Sequence, residues 1–418
     1  MKKIIILLIT LSTSAIFSSF TLGVENIPTA FAQTICPDKK NTTPVIGLIT
    51  NQTGINQQGI RTVEVLKQRG LPVSYIFVPE HGLSGVLAER DVHDSVDTQT
   101  NIPVISLYGN GSGKMISPEY LLELDCLVFD IQDSGMRHYT YISTLLSTMK
   151  IAAENNKPFV VLDRPNPLGS AMEGPLVDAD LISFISIASI PLRHGMTIGE
   201  LACYFNKHVL TKTITLHIVP MENYNRSQGF VGGLLQQLSP NLQSLQSVYG
   251  YSFLGLLGEV EPFDVGVGTY QAFRCITLPE TVKMPQGMWE RLQELLLKFR
   301  VKSFPYQYFN KKKQRVSKGL RLQFTDISRV HSFELFIAVL EFFKKEGIAF
   351  SFSAAFNKAV GTPQVQAVIA GPLSSDDFFA QVTENLKQFR TRAQECFLYK
   401  PVPVIFNKKI VLHTQTTI

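Results

Sequence analysis

The chain has 418 residues, with 39 Lys and Arg against 34 Asp and Glu and a formal net charge of +5. This mild surplus would suit an anionic polymer or fragment, and we expect no nucleic-acid partner. The length is sufficient for two domains with cores of their own.

The first 32 residues have the pattern of a secretory signal peptide. Lys2 and Lys3 precede an apolar run to Leu22, and residues 30–32 (Ala-Phe-Ala) supply a small-x-small cleavage site. We therefore expect a periplasmic or secreted protein from which residues 1–32 are removed. The alternative is a retained membrane anchor, which the Ser and Thr content and the short apolar run disfavour. No later segment is long and apolar enough for a stable membrane span.

The five cysteines are too few and too scattered for a disulfide framework. Cys126 lies in a strand-like run and Cys203 in a helix-like run, so both are expected as buried thiols. One disulfide among Cys36, Cys275 and Cys396 is compatible with an oxidising compartment.

Five short apolar runs, each ending in a polar cluster, predict parallel strands buried on both faces. In chain order they are VIGLIT, VSYIFV, PVISLY, CLVFDI and FVVL. Helical stretches at 59–69, 118–124 and 142–155 lie between them, and Thr197 with Glu200 forms a capping box that opens another helix. The alternation predicts a Rossmann-like, doubly wound α/β domain over 40–228. Because ligands bind outside the carboxyl ends of such strands, the polar clusters are expected to form one site.

The rest of the chain, 229–418, predicts a smaller, mixed α+β domain. Residues 229–241, rich in Gly, Gln and Ser, are typical of a linker or a cleft-lining loop. Further along, 319–326 alternate like a strand and 332–345 have helical periodicity. Residues 349–353 and 365–371 resemble strands, and 374–390 resemble a final helix.

The sequence lacks the motifs of cofactor and metal sites. The glycine-rich run 109–114 fails as a phosphate loop, because Tyr108 stands at its first glycine position and Met115 replaces the magnesium-binding Ser or Thr. No G-x-G-x-x-G opens the first strand–helix unit, and no G-x-S-x-G occurs. Without closely spaced His or Asp ligands, we expect neither a cofactor nor a metal.

Glu80 is the sharpest candidate for catalysis. It follows a strand beside the apolar Phe77 and Val78, where a carboxyl group can stay protonated and act as a general acid. A capping or salt-bridged glutamate is the structural alternative, and His81 could equally be a structural hydrogen-bonding residue.

Two further segments supply polar groups of the right kind for a sugar ligand. Residues 135–141 contain one arginine and two tyrosines, which are suited to binding a carboxylate and stacking on a sugar ring. Residues 163–167 (Asp-Arg-Pro-Asn-Pro) form a rigid turn that is either a buried structural network or a ligand clamp.

The segments that carry these residues closely resemble the DUF1343 family, whose characterised members are exo-β-N-acetylmuramidases. They are residues 47–55, 77–85, 129–145, 159–169, 172–178 and 191–202, with weaker similarity as far as 362. The resemblance implies a hydrolase that removes terminal, non-reducing N-acetylmuramic acid (MurNAc) from peptidoglycan fragments, such as MurNAc-GlcNAc and muropeptides. It also implies a Rossmann-like domain, a smaller C-terminal domain and an active-site cleft between them.

The resemblance implies roles for individual residues as well. Glu80 would be the catalytic acid/base, assisted by Tyr139 or Tyr141. Glycoside hydrolysis usually needs a second carboxylate, and substrate-assisted attack by the 2-acetamido group is the other option. Candidates for that carboxylate are Asp130, Asp133, Asp163, Glu200 and Glu259. The expected substrate-binding residues are Asn51, His81, Asp133, Arg137, His138, Asp163, Arg164, Asn166, Arg193, His194 and Glu259, and Arg137, Arg164 or Arg193 would bind the lactyl carboxylate.

The chain departs from the family pattern downstream. Leu238 stands where the family has proline, Val267 where it has arginine, and residues 271–273 where it has Pro-Phe-Glu. Two other hypotheses therefore stay open. One is a muropeptide-binding protein that has lost turnover, which the missing arginine supports; the other is a metal-dependent amidase or deacetylase acting on peptidoglycan.

Overall fold

The computed structural model describes residues 20–37, 43–88, 91–109, 112–226, 236–311 and 313–399. Residues 1–19 of the predicted signal peptide lie outside these ranges. No helix within them is both long and apolar enough to cross a membrane.

A seven-stranded sheet forms the centre of the N-terminal half. Its strands are β1 (Ile46–Thr50), β2 (Val73–Val78), β3 (Ser95–Val96), β4 (Pro103–Ser106), β7 (Cys126–Asp130), β8 (Phe159–Leu162) and β9 (Leu216–Val219). Between β4 and β7, the strands β5 (Tyr108–Gly109) and β6 (Ser112–Gly113) form a separate hairpin. The spatial order of the seven strands is β3-β4-β2-β1-β7-β8-β9, and the pairs are parallel apart from β3 with β4. The winding direction reverses between β1 and β7, so the prediction of a doubly wound domain is confirmed.

The central strands are buried on both faces, which explains their continuous apolar sequences. Every residue of β1, β7 and β8 is buried. Successive side chains point to opposite faces of a strand. Ile49 and Phe129 accordingly belong to one apolar cluster, whereas Leu48 and Val128 belong to another on the opposite face.

Helices connect these strands close to where the sequence predicts them. They are α1 (Phe31–Ile35), α2 (Thr62–Gln68), α3 (Pro118–Glu123), α4 (Tyr141–Glu154) and α5 (Ile198–His208). The capping box of α5 is present, since Thr197 Oγ1 accepts from Glu200 N at 3.2 Å and Glu200 Oε2 accepts from Thr197 N at 3.0 Å.

The segment 20–36 packs against the central sheet. Five of its apolar side chains are buried and join the cluster that contains Leu48 and Val128: Leu22, Val24, Ile27, Phe31 and Ile35. Gly23 N donates to the Asp163 carbonyl at 3.0 Å, and a Cβ atom on Gly23 would lie 2.4 Å from Asp163 N. The part of the predicted signal peptide that follows residue 19 thus contributes to the core.

The C-terminal half combines helices with small antiparallel sheets, as predicted. Its helices are α6 (Leu245–Leu257), α7 (Met288–Lys298), α8 (Ser332–Lys345), α9 (Phe356–Val360), α10 (Gln364–Ala370) and α11 (Ser375–Ala393). One sheet has the order β11-β13-β12, formed by β11 (Cys275–Pro279), β12 (Val301–Asn310) and β13 (Arg315–Phe324). The other pairs β10 (Val260–Glu261) with β14 (Ser351–Phe352).

The predicted strand at 365–371 is wrong, because this segment forms α10. Val365, Val368 and Ile369 are spaced three and four residues apart and bury one face of the helix. Gly371 then ends the helix in the left-handed region, with φ +115°. A short, mostly apolar run of this kind is compatible with a buried strand as well as with a helix, so its periodicity alone does not distinguish the two.

Candidate functional site

The polar residues that follow β1, β2 and β7 come together where the winding of the sheet reverses. Asn51 Oδ1, after β1, accepts from Thr53 Oγ1 at 2.6 Å. Thr53 Oγ1 in turn accepts from Gln132 N, after β7, at 2.9 Å. Asn51 also lies beside the Tyr141 hydroxyl. A crevice at this position is the usual ligand site of a doubly wound sheet.

Glu80 lies at this crevice in a turn that follows β2. His81 and Gly82 both adopt the left-handed region, with φ of 72° and 68°, a conformation that is uncommon for a residue with a side chain. Thr140 Oγ1 donates to Glu80 Oε2 at 2.7 Å, and His81 Nε2 lies 3.6 Å from Glu80 Oε1. The Glu80 side chain is 14% exposed, so its carboxylate is held in place and still reachable from solvent.

Tyr139 and Tyr141 both donate to one backbone carbonyl. Their hydroxyls lie 2.8 Å and 3.1 Å from the oxygen of Leu238, which also accepts from Gln52 Nε2 at 3.1 Å. The two rings meet edge to face, with centroids 4.6 Å apart. Burial raises the pKa of both phenols, so they stay protonated at neutral pH. The described part of the predicted cleft-lining loop is therefore fixed directly to these tyrosines.

Tyr251, on α6, is a site residue that the sequence analysis missed. Its ring stacks on His138 with centroids 4.6 Å apart, and its hydroxyl donates to the His138 carbonyl at 3.3 Å. Burial raises the pKa of Tyr251, and the charges of Glu80, Asp133 and Glu259 raise it further. The charges of three candidate carboxylates thus act on one phenol, which identifies Tyr251 as a residue of the candidate site. An aromatic residue within an apolar helix gives no sequence signal for such a position.

Two buried polar groups beside Tyr251 lack partners in the described part of the chain. His138 makes no hydrogen bond through either ring nitrogen, and Asp133 Oδ1 accepts none. Burial, and then the charge of Arg137, lowers the pKa of His138 to about 3, so its ring is neutral at pH 7. The other oxygen, Asp133 Oδ2, accepts from Gly135 N at 2.7 Å and pairs with His194 Nε2 at 2.9 Å. Because buried polar groups are normally paired, these atoms are suited to bind a polar ligand.

Arg137 joins the two halves of the protein, contrary to its expected role as a ligand for a substrate carboxylate. A guanidinium has five N–H groups, and here five hydrogen bonds run from Arg137 to the carbonyls of Pro175, Ile190, Ala359 and Val360 and to Ser186 Oγ. Burial lowers its pKa to about 9, which still leaves it charged at neutral pH. Its donors are therefore fully used within the protein.

Arg193 also connects the two halves. It is 1% exposed, pairs with Glu173 Oε1 at 2.9 Å and donates to the Val330 carbonyl at 3.1 Å. Arg193 Nε has no partner among the described residues, whereas every donor of Arg137 is used.

Asp130 and Arg164 form a buried ion pair below the crevice. Arg164 Nε lies 2.5 Å from Asp130 Oδ1, and Arg164 Nη2 lies 2.9 Å from Oδ2, which also accepts from Thr62 Oγ1. Asp130 is fully buried and Arg164 is 2% exposed. Both carboxylate oxygens are engaged, an arrangement that favours a structural role over the expected catalytic role of Asp130 and the substrate-binding role of Arg164.

Asp163 and Asn166 are held in the same way after β8. Asp163 Oδ1 accepts from Gly199 N at 2.7 Å, and its Oδ2 accepts from the Tyr399 hydroxyl at 2.5 Å. Asn166 Nδ2 donates to the Met196 carbonyl at 2.9 Å. Of the two interpretations of this segment, the buried structural network agrees with these contacts.

Glu259 and Val267 belong to the C-terminal side of the crevice. Glu259 Oε2 accepts from Ser353 Oγ at 2.5 Å, and the charge of Glu259 contributes to the raised pKa of Tyr251. Val267 is 40% exposed. The next residue, Gly268, donates through its N–H to Asn241 Oδ1 at 2.9 Å, which ties this turn to the loop that contains Leu238. The position at which the family has an arginine is therefore solvent-exposed beside the cleft-lining loop.

In the described ranges, no group of three His, Cys, Asp or Glu side chains is arranged to hold a metal ion. A separate shallow cavity on the C-terminal half is lined mainly by apolar residues, including Ile348, Phe350 and Ala367. None of the candidate site residues lines this cavity.

Comparisons with known proteins confirm the family resemblance. Residues 46–246 match the family model described as exo-beta-N-acetylmuramidase NamZ, N-terminal, and residues 249–399 match the corresponding C-terminal model. The chain is 34% identical over 365 residues to the peptidoglycan beta-N-acetylmuramidase NamZ of Bacillus subtilis (strain 168), covering 85% of this chain and 86% of that protein.

Two crystal structures of DUF1343 family proteins from Bacteroides fragilis are similar as well. The first has a TM-score of 0.76 and 29% identity, over 91% of this chain and 99% of that one. The second has a TM-score of 0.69 over 92% and 99% of the two chains, and at 24% identity it supports the fold alone.

Proposed function

Because the chain belongs to the exo-β-N-acetylmuramidase NamZ family, we propose that it is a glycoside hydrolase that releases terminal, non-reducing MurNAc from peptidoglycan fragments. The observation that carries the proposal is the position of Glu80. Its carboxylate is anchored by Thr140 at 2.7 Å and shares the surroundings of Tyr251 with two further carboxylates. Glycoside hydrolysis uses such an acid, usually together with a second carboxylate.

In the proposed mechanism, Glu80 acts as the general acid that protonates the glycosidic oxygen as the bond to the leaving sugar breaks. Thr140 orients the carboxylate, and His81 lies on its other side. After the leaving sugar departs, ionised Glu80 takes a proton from the attacking water and is restored. The protonated phenols of Tyr139 and Tyr141 hold the cleft-lining loop against this centre.

Asp133 is the carboxylate best suited to the second role. Its Oδ1 is buried without a partner among the described residues, whereas both oxygens of Asp130 are engaged. In that position Asp133 would accept the N–H of the 2-acetamido group and align it for substrate-assisted attack. His194 keeps Asp133 oriented through Oδ2.

The proposal is tested with two disaccharides of opposite order. The purified chain is incubated with MurNAc-GlcNAc and with GlcNAc-MurNAc in the presence of EDTA, and free MurNAc is measured. We expect release from MurNAc-GlcNAc alone. Equal release from both substrates contradicts specificity for MurNAc as the non-reducing sugar, and activity that disappears with EDTA favours a metal-dependent enzyme.

A second candidate function is muropeptide binding without turnover. It is supported by Val267, which stands where the family has an arginine beside the cleft-lining loop. Detectable binding of MurNAc-GlcNAc, measured by calorimetry, with no release of sugar would favour this candidate over hydrolysis.

We also propose that the protein is exported to the periplasm or secreted, with processing ahead of residue 20. The leader-like composition of residues 1–19 supports export, and the burial of Leu22 and Phe31 supports retention of the segment that follows. Cleavage after residue 32 would remove both side chains from the core. Amino-terminal sequencing of the exported protein tests this proposal. A first residue near position 20 agrees with processing ahead of residue 20, whereas a first residue at position 33 contradicts it.

A further inference from the structure

Four of the five cysteines lie in two pairs. The thiol of Cys36, just after α1, hydrogen-bonds to that of Cys126, the first residue of β7. The same apolar cluster surrounds both side chains. Further along the chain, Val45 N donates to the Asp125 carboxylate at 2.8 Å and Ile46 is paired with Cys126 in the sheet. Residues on both sides of Cys126 are therefore fixed by contacts with the segment that follows Cys36.

The second pair connects α5 with the last described segment. Lys207 and His208, at the end of α5, form ion pairs with Glu395 at 3.3 Å and 2.7 Å. Because Glu395 immediately precedes Cys396, these ion pairs place Cys396 opposite Cys203, one helical turn before Lys207. The two thiols are close enough for each to shift the pKa of the other.

We propose that Cys36–Cys126 and Cys203–Cys396 are two disulfide-forming pairs, which fasten the first and last described segments to the N-terminal half. This differs from the expectation of one bridge among Cys36, Cys275 and Cys396. Cys275 is buried in β11, where its Sγ lies 3.8 Å from the Gln271 carbonyl, and it stays a thiol. All five residues are reduced in the structure, so both disulfides require an oxidant.

A disulfide oxidant, either oxidised glutathione or a protein thiol–disulfide oxidoreductase, balances the reaction. The Cys203 thiolate attacks one sulfur of the oxidant, forming a mixed disulfide and releasing one thiolate. Cys396 then loses its proton and attacks the Cys203 sulfur, which closes the protein disulfide and releases the second thiolate. The oxidant accepts two electrons, and its two thiolates take up two protons.

The surroundings of Cys203 favour it as the attacking residue. The neighbouring Cys396 thiol lowers the pKa of Cys203, and the positive charge of Lys207 acts in the same direction. Cys203 is half-buried and therefore open to an oxidant, whereas Cys396 is 2% exposed. In the first pair, half-buried Cys36 is the accessible member.

The Cys203–Cys396 disulfide would link the two halves of the protein covalently. Cys203 lies within the N-terminal family region and Cys396 within the C-terminal one. Just beyond Cys396, Leu398 N donates to Glu200 Oε1 at 3.1 Å, and the Tyr399 hydroxyl donates to Asp163. A bridge at this point would hold in place these contacts to α5 and to the residue that follows β8.

The test counts thiols in the full chain. The reduced protein is incubated with a mixture of reduced and oxidised glutathione at pH 7.5, alkylated in denaturant, digested and mapped by mass spectrometry. We expect one alkylated cysteine, Cys275, and two cross-linked peptides that join Cys36 to Cys126 and Cys203 to Cys396. Any cross-link to Cys275 overturns the assignment, and a pair that stays reduced overturns the proposal for that pair.

Variants separate the two pairs. Cys203→Ser and Cys36→Ser change the half-buried member of each pair, and Cys275→Ser is the matched control that should keep both disulfides. Oxidation should raise the apparent midpoint of thermal unfolding by roughly 5 °C for the long loop closed by Cys203–Cys396. Cys203→Ser should remove this shift, and an unchanged shift in that variant contradicts the proposal. The disulfide mapping of the unmodified chain still tests the proposal even if one of the variants fails to fold.

Discussion

Replacing Thr140 with valine should move the alkaline limb of the pH–activity profile upward. Thr140 Oγ1 donates to Glu80 Oε2 at 2.7 Å, a bond that favours the ionised carboxylate. A hydrogen bond to a charged group contributes about 1.5–3 kcal/mol. Because the Glu80 side chain is 14% exposed, we take the lower end of that range. At about 1.4 kcal/mol per pH unit, the shift is roughly one unit.

The assay measures kcat/KM for MurNAc release from MurNAc-GlcNAc between pH 4 and pH 9. Without the bond from Thr140, Glu80 keeps its proton to higher pH and remains a general acid there. Thr144→Val is a matched control on the same helix, since Thr144 Oγ1 contacts the Thr140 carbonyl at 3.5 Å and not Glu80. A profile of Thr140→Val that coincides with those of the wild type and Thr144→Val would refute the role assigned to Glu80.

Three further predictions concern the groups around Glu80. Asp130→Asn should lower the free energy of unfolding by about 3–5 kcal/mol, because it leaves buried Arg164 without its counter-charge; a loss below 1 kcal/mol in urea unfolding contradicts this. Burial lowers the pKa of His138 from 6.5 to about 3, so below pH 6.5 the unfolded chain binds a proton that the folded chain does not. Stability should therefore fall as the pH drops from 6.5, by about 2 kcal/mol at pH 5, and His138→Gln should lose less stability than the wild type between pH 7 and pH 5. Val267→Arg should tighten MurNAc-GlcNAc binding several-fold in calorimetry, with Val267→Gln as the neutral control, and equal affinities of the two variants would exclude a charge effect.

Five of the seven strands of the large sheet were predictable because each carries its own signal, whereas β3 and β9 were not predicted. A run such as residues 126–129 is apolar throughout, since both of its faces are covered, and the polar Asp130 marks the end of the strand. The helix α10 (Gln364–Ala370) was not predictable, because a short and mostly apolar segment is compatible with both a strand and a helix, and only the packing in the fold distinguishes them.

The candidate site was predictable only in part, for a related physical reason. Glu80 follows a strand in a turn with its own sequence signal, and the structure places it at the crevice. Charged residues in the same motifs, such as Arg137 and Asp130, are fully buried, and a sequence does not show whether a charge meets a ligand or another part of the fold. Tyr251 reaches the site from a different half of the chain, so no local pattern indicates it.

The most direct test of the central claim compares MurNAc release by the wild type and by Glu80→Gln. Glutamine keeps the shape of the side chain and the contact with Thr140, but it has no proton to give to the glycosidic oxygen. With folding verified by circular dichroism, the variant should release MurNAc from MurNAc-GlcNAc at least about 100-fold more slowly. Release at the wild-type rate would contradict the assignment of Glu80 as the catalytic acid.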